Sequence, residues 1–175
     1  NLDCHPAFKI AMRRLITLAA AFALSSSLYA AQHRPVPGPR TEPVLDCLGD
    51  SITAGQGIDP AHAFPAVLQS LLNARGYHYK VVNSGISGNT SKDGVDRLKD
   101  VLRLHPAVTI VEFGGNDGLR GIPIQATRRN LDTIVATLLH SGGKVLLAGI
   151  TLPPNYGADY IRQFDETYRL IAAKD

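Results

Sequence analysis

Four short apolar runs alternate along this chain with four longer amphipathic stretches, and this alternation limits the folds it can adopt. The apolar runs are rich in β-branched residues and lie at 44–48, 80–82, 108–113 and 144–150. The amphipathic stretches show helical spacing and lie at 63–75, 91–104, 124–140 and 158–173. Continuously apolar strands separated by helices are typical of a parallel sheet covered on both faces. The pattern therefore predicts a doubly wound α/β sandwich.

Glycine and serine mark the predicted helix ends. Gly76 and the pair Gly142 and Gly143 follow two of the amphipathic stretches, where C-terminal caps are expected. Ser91 stands at the start of the second stretch and is a suitable N-cap. With 175 residues, of which 45% are hydrophobic and 19% charged, the chain has the composition of a single globular domain.

Clusters of small and polar residues follow the first three apolar runs, at 49–52, 85–91 and 114–118. Loops that follow parallel strands meet at the carboxyl edge of a sheet, where the sites of open α/β proteins are built. The first loop supplies the hydroxyl of Ser51, the second a flexible backbone, and the third the amide of Asn116. A nucleophile accompanied by hydrogen-bond donors for an oxyanion is suited to acyl transfer.

These clusters resemble the sequence blocks of the SGNH, or GDSL, hydrolase superfamily, and the resemblance covers about 44–175. The three blocks correspond in order to GDS at 49–51, NSGISGNTS at 83–91 and GGND at 114–117. Residues 114–121 and 152–157 resemble in particular the bacterial periplasmic acyl-CoA thioesterase, lysophospholipase and arylesterase branch. The resemblance implies a flavodoxin-like three-layer α/β/α sandwich that hydrolyses small-molecule acyl esters or thioesters. It also implies that no metal or organic cofactor is needed.

By this resemblance, Ser51 is the nucleophile, and the oxyanion hole consists of the Ser51 N–H, the Gly88 N–H and the side-chain amide of Asn116. Glycine lets the main chain approach a substrate, and a neutral amide keeps its protons at any working pH. Each residue alone also suits a structural role, as a helix cap, a turn residue or a loop-capping amide. Their combination in the matching order favours the catalytic interpretation. Asp50 and Asp117 are expected to hold the loops in shape.

The superfamily's fourth block, an Asp-x-x-His near the carboxyl end, has no counterpart before Asp175. His62 stands in such a pattern at 59–62, but it follows Ser51 by only 11 residues, whereas the family's pair comes after the last strand. We therefore assign no catalytic acid or base, and a chain without them should catalyse only weakly. We expect an incomplete sequence that lacks a fifth strand and a last helix. A naturally shortened family member is the alternative.

Substrate preference is indicated by the segment Leu119, Arg120, Gly121, Ile122 and Pro123, which resembles the loop over the acyl pocket in the thioesterase-like branch. Glycines on both sides of the arginine permit movement of this loop. An ordinary connection before the helix at 124–140 is the alternative. The resemblance implies an ester or thioester with a medium or long acyl chain, and carbohydrate acetyl esters are the other substrate class considered.

Two other protein classes fit the sequence less well. An α/β-hydrolase would carry Gly-x-Ser-x-Gly, but Thr53 occupies the position of the second glycine. A non-catalytic flavodoxin-like binding module would cradle a phosphate with residues 51–57 at a helix N-terminus. That segment lacks the Gly-Lys-Ser/Thr signature and a nearby basic residue. The ester hydrolase is therefore favoured.

The amino-terminal residues indicate export. A charged start at Met12, an apolar stretch at 15–24 and small residues at 25–31 are the parts of a secretory signal peptide. The apolar stretch is shorter than the roughly 20 residues that span a bilayer. The predicted segments are an upstream extension at 1–11, a signal peptide at 12–30, a linker at 31–43 and the hydrolase domain at 44–175. We expect a periplasmic or secreted protein without a stable membrane span.

Charge and cysteine content agree with such a domain. The whole chain has a formal net charge of +3, and from Ala31 onward 15 basic residues face 14 acidic ones, scattered along the sequence. No nucleic-acid surface is predicted, and we expect a monomer that binds a small-molecule substrate. Cys4 falls in the segment expected to be removed. Cys47 lies in an apolar strand and is predicted to be a buried core residue, not a reactive thiol.

Overall fold

The computed structural model describes residues 41–174. These residues form a four-stranded parallel sheet with the order β2-β1-β3-β4. The strands are β1 (Val44–Gly49), β2 (Lys80–Gly85), β3 (Val108–Glu112) and β4 (Lys144–Ala148). The predicted parallel α/β architecture is confirmed. The extension and signal peptide predicted at 1–30, and most of the linker at 31–43, lie outside the described residues.

Seven α-helices accompany the sheet in this part of the chain. They are α1 (Ser51–Ala54), α2 (Phe64–Ala74), α3 (Ser91–Asp96), α4 (Leu98–Leu102), α5 (Gly115–Leu119), α6 (Ile124–His140) and α7 (Ala158–Ala172). Short 3-10 turns at Pro60–His62 and Pro154–Tyr156 precede α2 and α7. The helix predicted at 124–140 is confirmed at both ends. Across residues 41–174, no helix combines the length and apolarity needed to cross a bilayer.

The single helix predicted at 91–104 is wrong in two respects. It is divided at Arg97, whose guanidinium turns toward the sheet and donates to the carbonyl oxygens of Gly49 and Ser84. Its N-cap is Thr90 and not Ser91, because the Thr90 side chain forms a capping box with the third residue of the helix. The contacts of Arg97 with β1 and β2 therefore interrupt the predicted helix, and Thr90, one residue before Ser91, caps its start.

The strand ends also differ from the predictions. β2 runs three residues past the predicted 80–82, because the polar and small residues up to Gly85 still pair in register with β1. β3 and β4 are shorter than predicted, and Phe113 and Ile150 belong to the connections that follow them. The apolar runs located every strand, but backbone pairing decided where each one ends.

The principal core lies between one face of the sheet and helices α6 and α7. Leu48 and Val111 contribute to it from the strands and are fully buried. The helices and connections contribute further buried side chains, among them Phe113, Leu131, Ile134, Leu138, Phe164 and Ile171. Successive strand residues point to opposite faces. Gly49 and Glu112 therefore lie on the other face of the sheet, where α1 packs.

Candidate active site

Ser51 is the first residue of α1, and only Asp50 separates it from the carboxyl end of β1. Asp50 caps this short helix, because its Oδ1 accepts from the Ile52 N–H at 3.0 Å. The N–H groups of the first turn of a helix have no acceptor inside the helix. Ser51 thus presents a half-buried hydroxyl and a main-chain donor at the carboxyl edge of the sheet.

Two glycines allow α1 to lie this close to the strands. A Cβ at Gly49 would stand 2.0 Å from Thr53 Oγ1, and a Cβ at Gly85 would stand 2.2 Å from the backbone nitrogen of Ala54. Any larger residue at either position would push α1 away from the sheet. Neither glycine received a role from the sequence alone. Glycine at the last position of two neighbouring strands was the signal, since it marks a close backbone approach.

Gly88 lies in the second loop, in a turn closed by a hydrogen bond from the Asn89 N–H to the Ile86 carbonyl at 3.2 Å. Its φ of +82° falls in the left-handed region that favours glycine. A Cβ here would meet only the Arg120 guanidinium, at an ordinary 3.6 Å, so the backbone conformation and not crowding requires the glycine. Among residues 41–174, no backbone acceptor takes the Gly88 N–H, which is therefore available to a ligand.

Asn116, the second residue of α5, joins all three loops. Its Nδ2 donates to Asp50 Oδ2 at 3.0 Å and to the carbonyl oxygen of Asn89 at 2.9 Å. Asp50 adjoins Ser51, and Asn89 adjoins Gly88, so one amide connects the residues predicted to form the oxyanion hole. Both amide protons are engaged in this arrangement. An oxyanion would have to share or replace one of the two acceptors.

Asp117 anchors the third loop from below and is fully buried. It accepts from the Ser91 backbone N–H at 2.8 Å, from the Ser91 hydroxyl, and from Thr127 Oγ1 at 3.1 Å. Asn130 also donates to the Ser91 hydroxyl, at 3.0 Å. These bonds connect the third loop to α3 and α6, as expected for a residue that holds the loop in shape. Ser91 serves in this network instead of capping α3.

Arg97 cross-links the carboxyl ends of β1 and β2. It donates to Gly49 O at 3.1 Å and to Ser84 O at 2.9 Å, and its guanidinium carbon lies 6.0 Å from the Phe113 ring centroid. Burial lowers the pKa of Arg97, against the opposing charge of Asp46. Asp46 is fully buried and accepts from the Ser84 hydroxyl at 2.6 Å, and burial raises its pKa. Asp46 and Arg97 thus connect β1, the strand that leads to Ser51, with β2.

Glu112 is the last residue of β3 and lies on the sheet face that α1 covers. It is only 7% exposed. Its Oε2 accepts from Thr53 Oγ1 at 2.8 Å, and its Oε1 has no hydrogen-bond partner within the described part of the chain. Burial and then the negative charge of Asp50 raise the pKa of Glu112 to about 7, while the Thr53 hydrogen bond opposes this rise. Glu112 was counted within the apolar run at 108–113 and so was missed. An acidic residue inside a buried strand was the available signal.

The described residues place no histidine or carboxylate in hydrogen-bond contact with the Ser51 hydroxyl. His62 is exposed, and the Asp59 carboxylate caps its turn by accepting from the Ala61 N–H at 2.9 Å. The remaining histidines between 41 and 174 precede the strands, toward the opposite edge of the sheet, and are exposed: His78, His105 and His140. Within the same range, no three His, Cys, Asp or Glu side chains are grouped to hold a metal ion.

The segment predicted to contact the substrate begins inside a helix. Leu119 is the last residue of α5 and is 55% exposed. Arg120 follows it and donates to the Gly88 carbonyl oxygen at 2.8 Å. Gly121 has a φ of +66°, and Pro123 is the N-cap of α6. The segment therefore contacts the second loop through Arg120, and its role in substrate binding stays a prediction.

Fold and loops together define a class of protein: an open parallel α/β sheet with a serine, a glycine and an asparagine on three successive loops at one edge. The chain matches the GDSL-like lipase/acylhydrolase family over residues 47–175, and it belongs to that family.

Individual relatives agree with this assignment. The chain is 45% identical over 129 residues to esterase TesA of Pseudomonas aeruginosa, covering 73% of this chain and 64% of TesA. It is 40% identical over 126 residues to thioesterase 1/protease 1/lysophospholipase L1 of Escherichia coli K12, covering 71% of this chain and 59% of that protein. The crystal structure of AlinE4, an SGNH-hydrolase family esterase, matches with a TM-score of 0.73 and 39% identity over 77% of this chain and 72% of that one. The chain spans less than two thirds of the length of the first two relatives.

Proposed function

We propose that this protein is a serine ester hydrolase that cleaves carboxylic esters or thioesters carrying an acyl chain. The observation that carries the proposal is the Asn116 amide, which bonds to Asp50 beside Ser51 and to Asn89 beside Gly88. A nucleophile and three donors for an oxyanion are thereby connected at one edge of the sheet. The names of the relatives, an esterase and a thioesterase/lysophospholipase, support the same reaction.

In the proposed reaction, Ser51 Oγ attacks the acyl carbon, and its proton passes to a general base. The carbonyl oxygen becomes the oxyanion of a tetrahedral intermediate and accepts hydrogen bonds from the N–H groups of Ser51 and Gly88 and from Asn116. Collapse of the intermediate expels the alcohol or thiol, which takes up the proton, and leaves an acyl-serine. Water then attacks the acyl group by the same route and regenerates the serine.

Asn116 must release one of its two acceptors to serve the oxyanion. Hydrogen bonds to a charged group are roughly twice as strong as those between neutral groups. The neutral carbonyl of Asn89 is therefore the acceptor that an oxyanion should replace. Asp50 then keeps its bond and holds the amide in the orientation that points the released proton toward the substrate.

Residues 41–174 place no general base in contact with the Ser51 hydroxyl. The family resemblance implies a histidine of an Asp-x-x-His pair after the last strand, and no such pair follows β4 before Asp175. Members of a catalytic triad act as a unit. We therefore assign no general base among residues 41–174.

The substrate class is inferred from apolar side chains on the three loops. Ile52 follows the nucleophile, Ile86 lies in the second loop and Leu119 ends α5, and each is between 46% and 55% exposed. Exposed apolar groups close to a polar site suit the burial of an acyl chain. Together with the segment at 119–123, they support a medium or long acyl chain over a carbohydrate acetyl group.

We also propose that the protein is exported to the periplasm or secreted, on the strength of the signal-peptide pattern at 12–30. The near balance of basic and acidic residues after Ala31 supports a small molecule, and not a nucleic acid, as the binding partner. The domain at 44–175 is proposed to act as a monomer.

The assignment is tested with the full-length gene product and p-nitrophenyl esters ranging from acetate to palmitate. Ser51→Ala should lower turnover at least about a thousandfold. Ser70→Ala is the matched control, since this exposed serine of α2 bonds only to the Ala66 carbonyl at 3.1 Å. Both variants should unfold at the wild-type urea midpoint by circular dichroism. Full turnover by Ser51→Ala would sink the hydrolase assignment, and a maximum rate with acetate would contradict the acyl-chain preference.

A further inference from the structure

Glu112 lies below the loop that carries Ser51, and the reaction proposed above assigns it no role. It accepts from Thr53, which belongs to the same short helix as Ser51, and its register partner on β1 is Gly49, the residue before Asp50. Asp50 in turn accepts from the Asn116 amide. We infer that Glu112 is a positioning residue for that reaction and that it holds Asp50, and through it the Asn116 amide, by sharing a proton with the Asp50 carboxyl. This inference rests on the proposed function.

The burial of the two carboxyl groups and their hydrogen-bond partners support a shared proton. Asp50 is 2% exposed and Glu112 is 7% exposed. The Asp50 oxygens accept from the Ile52 N–H and the Asn116 amide, whereas Glu112 Oε1 has no partner in the described residues. Both groups are buried beside each other at the ends of paired strands, and two buried carboxylates whose charges interact cannot both ionise without an electrostatic cost. A proton on Glu112 gives its unpartnered oxygen a donor and removes that cost.

No cation replaces the proton. The ion pairs formed within residues 41–174 include neither Asp50 nor Glu112. The nearby Arg97 guanidinium donates instead to the carbonyl oxygens of Gly49 and Ser84. Helix α1 carries no charged side chain, and the register neighbours of Glu112 on β1 and β4 are Gly49 and Ala148. Tyr168 of α7 is the other titratable group influenced by Glu112, and burial first, then nearby acidic charges including that of Glu112, raises its pKa.

The protonation state of Glu112 should affect catalysis with a definite sign. Its pKa is raised from an ordinary 4.5 to about 7, first by burial and then by the charge of Asp50. Below that pH, Glu112 is neutral and donates to Asp50, and the pair carries one negative charge. As the pH rises through about 7, the pair gains a second negative charge beside the position of the oxyanion. Ionised Glu112 should therefore oppose oxyanion formation, while the catalytic base loses its proton over a similar range.

Kinetic measurements on variants of the full-length protein distinguish the ionisation of Glu112 from that of the catalytic base. Glu112→Gln cannot ionise, but it keeps an oxygen for Thr53 and gains an N–H for Asp50. The ratio of its kcat/KM to that of the wild type should rise at least about threefold between pH 6 and 9, since only the wild type ionises at this position. Glu112→Leu, which can hold neither neighbour, should lower kcat throughout while changing KM little. A ratio for Glu112→Gln that is constant with pH would overturn the inference.

A second measurement does not depend on turnover. The Glu112 carboxyl carbon can be followed by NMR in the full-length Ser51→Ala protein labelled with carbon-13 glutamate. Its midpoint should lie near pH 7 and should rise in a Thr53→Val background, because the Thr53 hydrogen bond lowers this pKa. If the wild type hydrolyses esters and the midpoint in Ser51→Ala lies near 4.5, the positioning role alone is refuted. If the wild type hydrolyses no ester, the hydrolase and the positioning role are refuted together, whatever the midpoint.

Discussion

Replacing Asp117 tests whether the loop that carries Asn116 is held by the buried network beneath it. Asp117→Ala removes the acceptor of three donors: the Ser91 backbone N–H, the Ser91 hydroxyl and the Thr127 hydroxyl. Each buried donor left unsatisfied costs about 1 to 3 kcal/mol. The two hydroxyls can rotate toward other acceptors, whereas the backbone N–H cannot. We therefore expect a loss of about 3 to 5 kcal/mol in the free energy of unfolding.

Urea unfolding followed by circular dichroism measures this loss. With a denaturant slope of about 2 kcal/mol per molar, the midpoint should fall by roughly 2 M. Asp117→Asn retains one acceptor oxygen and should lose about half as much. Asp96→Ala, on the same helix as Ser91, is the matched control, because its salt bridge with Lys92 is exposed and such pairs are worth about 0 to 1 kcal/mol. If Asp117→Ala loses no more than this control, the network does not hold the loop.

Three further predictions follow from single contacts. Asn116→Ala should lower kcat on p-nitrophenyl butyrate about 100- to 1000-fold, and a smaller loss would remove Asn116 from the oxyanion hole. Gly94→Ala should destabilise the protein by about 1 to 3 kcal/mol in urea, although alanine favours helices, because its Cβ would lie 2.6 Å from the Phe113 ring. If Gly94→Ala is more stable than the wild type, the Phe113 ring must move aside and make room for the added methyl group. Burial and then the charge of Asp46 raise the pKa of Cys47 to about 12, so this thiol should react with a disulfide reagent at pH 8 only after unfolding. Peptide mapping that finds rapid labelling in the folded protein would contradict this.

The fold was predictable where local periodicity and burial agree. The helix at Ile124–His140 matches its predicted bounds because its apolar face is regular and Pro123 and the following glycines mark its ends. The end of β2 was not predictable in the same way. Its last residues are polar or small and have low strand propensity, and they join the sheet because β1 presents paired backbone groups up to Gly49.

The sequence predicted which residues lie at the site, but not the hydrogen bonds that join them. The placement of Ser51 and Asn116 on loops at one edge of the sheet follows from the order of strands and glycines. The hydrogen bonds that hold Asn116 join residues up to 66 positions apart, and no local pattern encodes them. Arg97 was missed for the same reason, since it looks like an ordinary helix residue until the neighbouring loops are in place. Glu112 was missed although an acidic residue inside a buried strand gave a signal.

The bond between Asn116 and Asp50 has a consequence for the order in which the protein is made. It spans 66 residues of chain, and the ribosome delivers Asp50 and Ser51 well before Asn116. Closing so long a loop costs entropy that local contacts cannot recover. The oxyanion donors can therefore assemble only after β3 has docked on the open edge of β1. A partly synthesised chain therefore presents Ser51 without Asn116, and the two residues meet only when β3 joins the sheet.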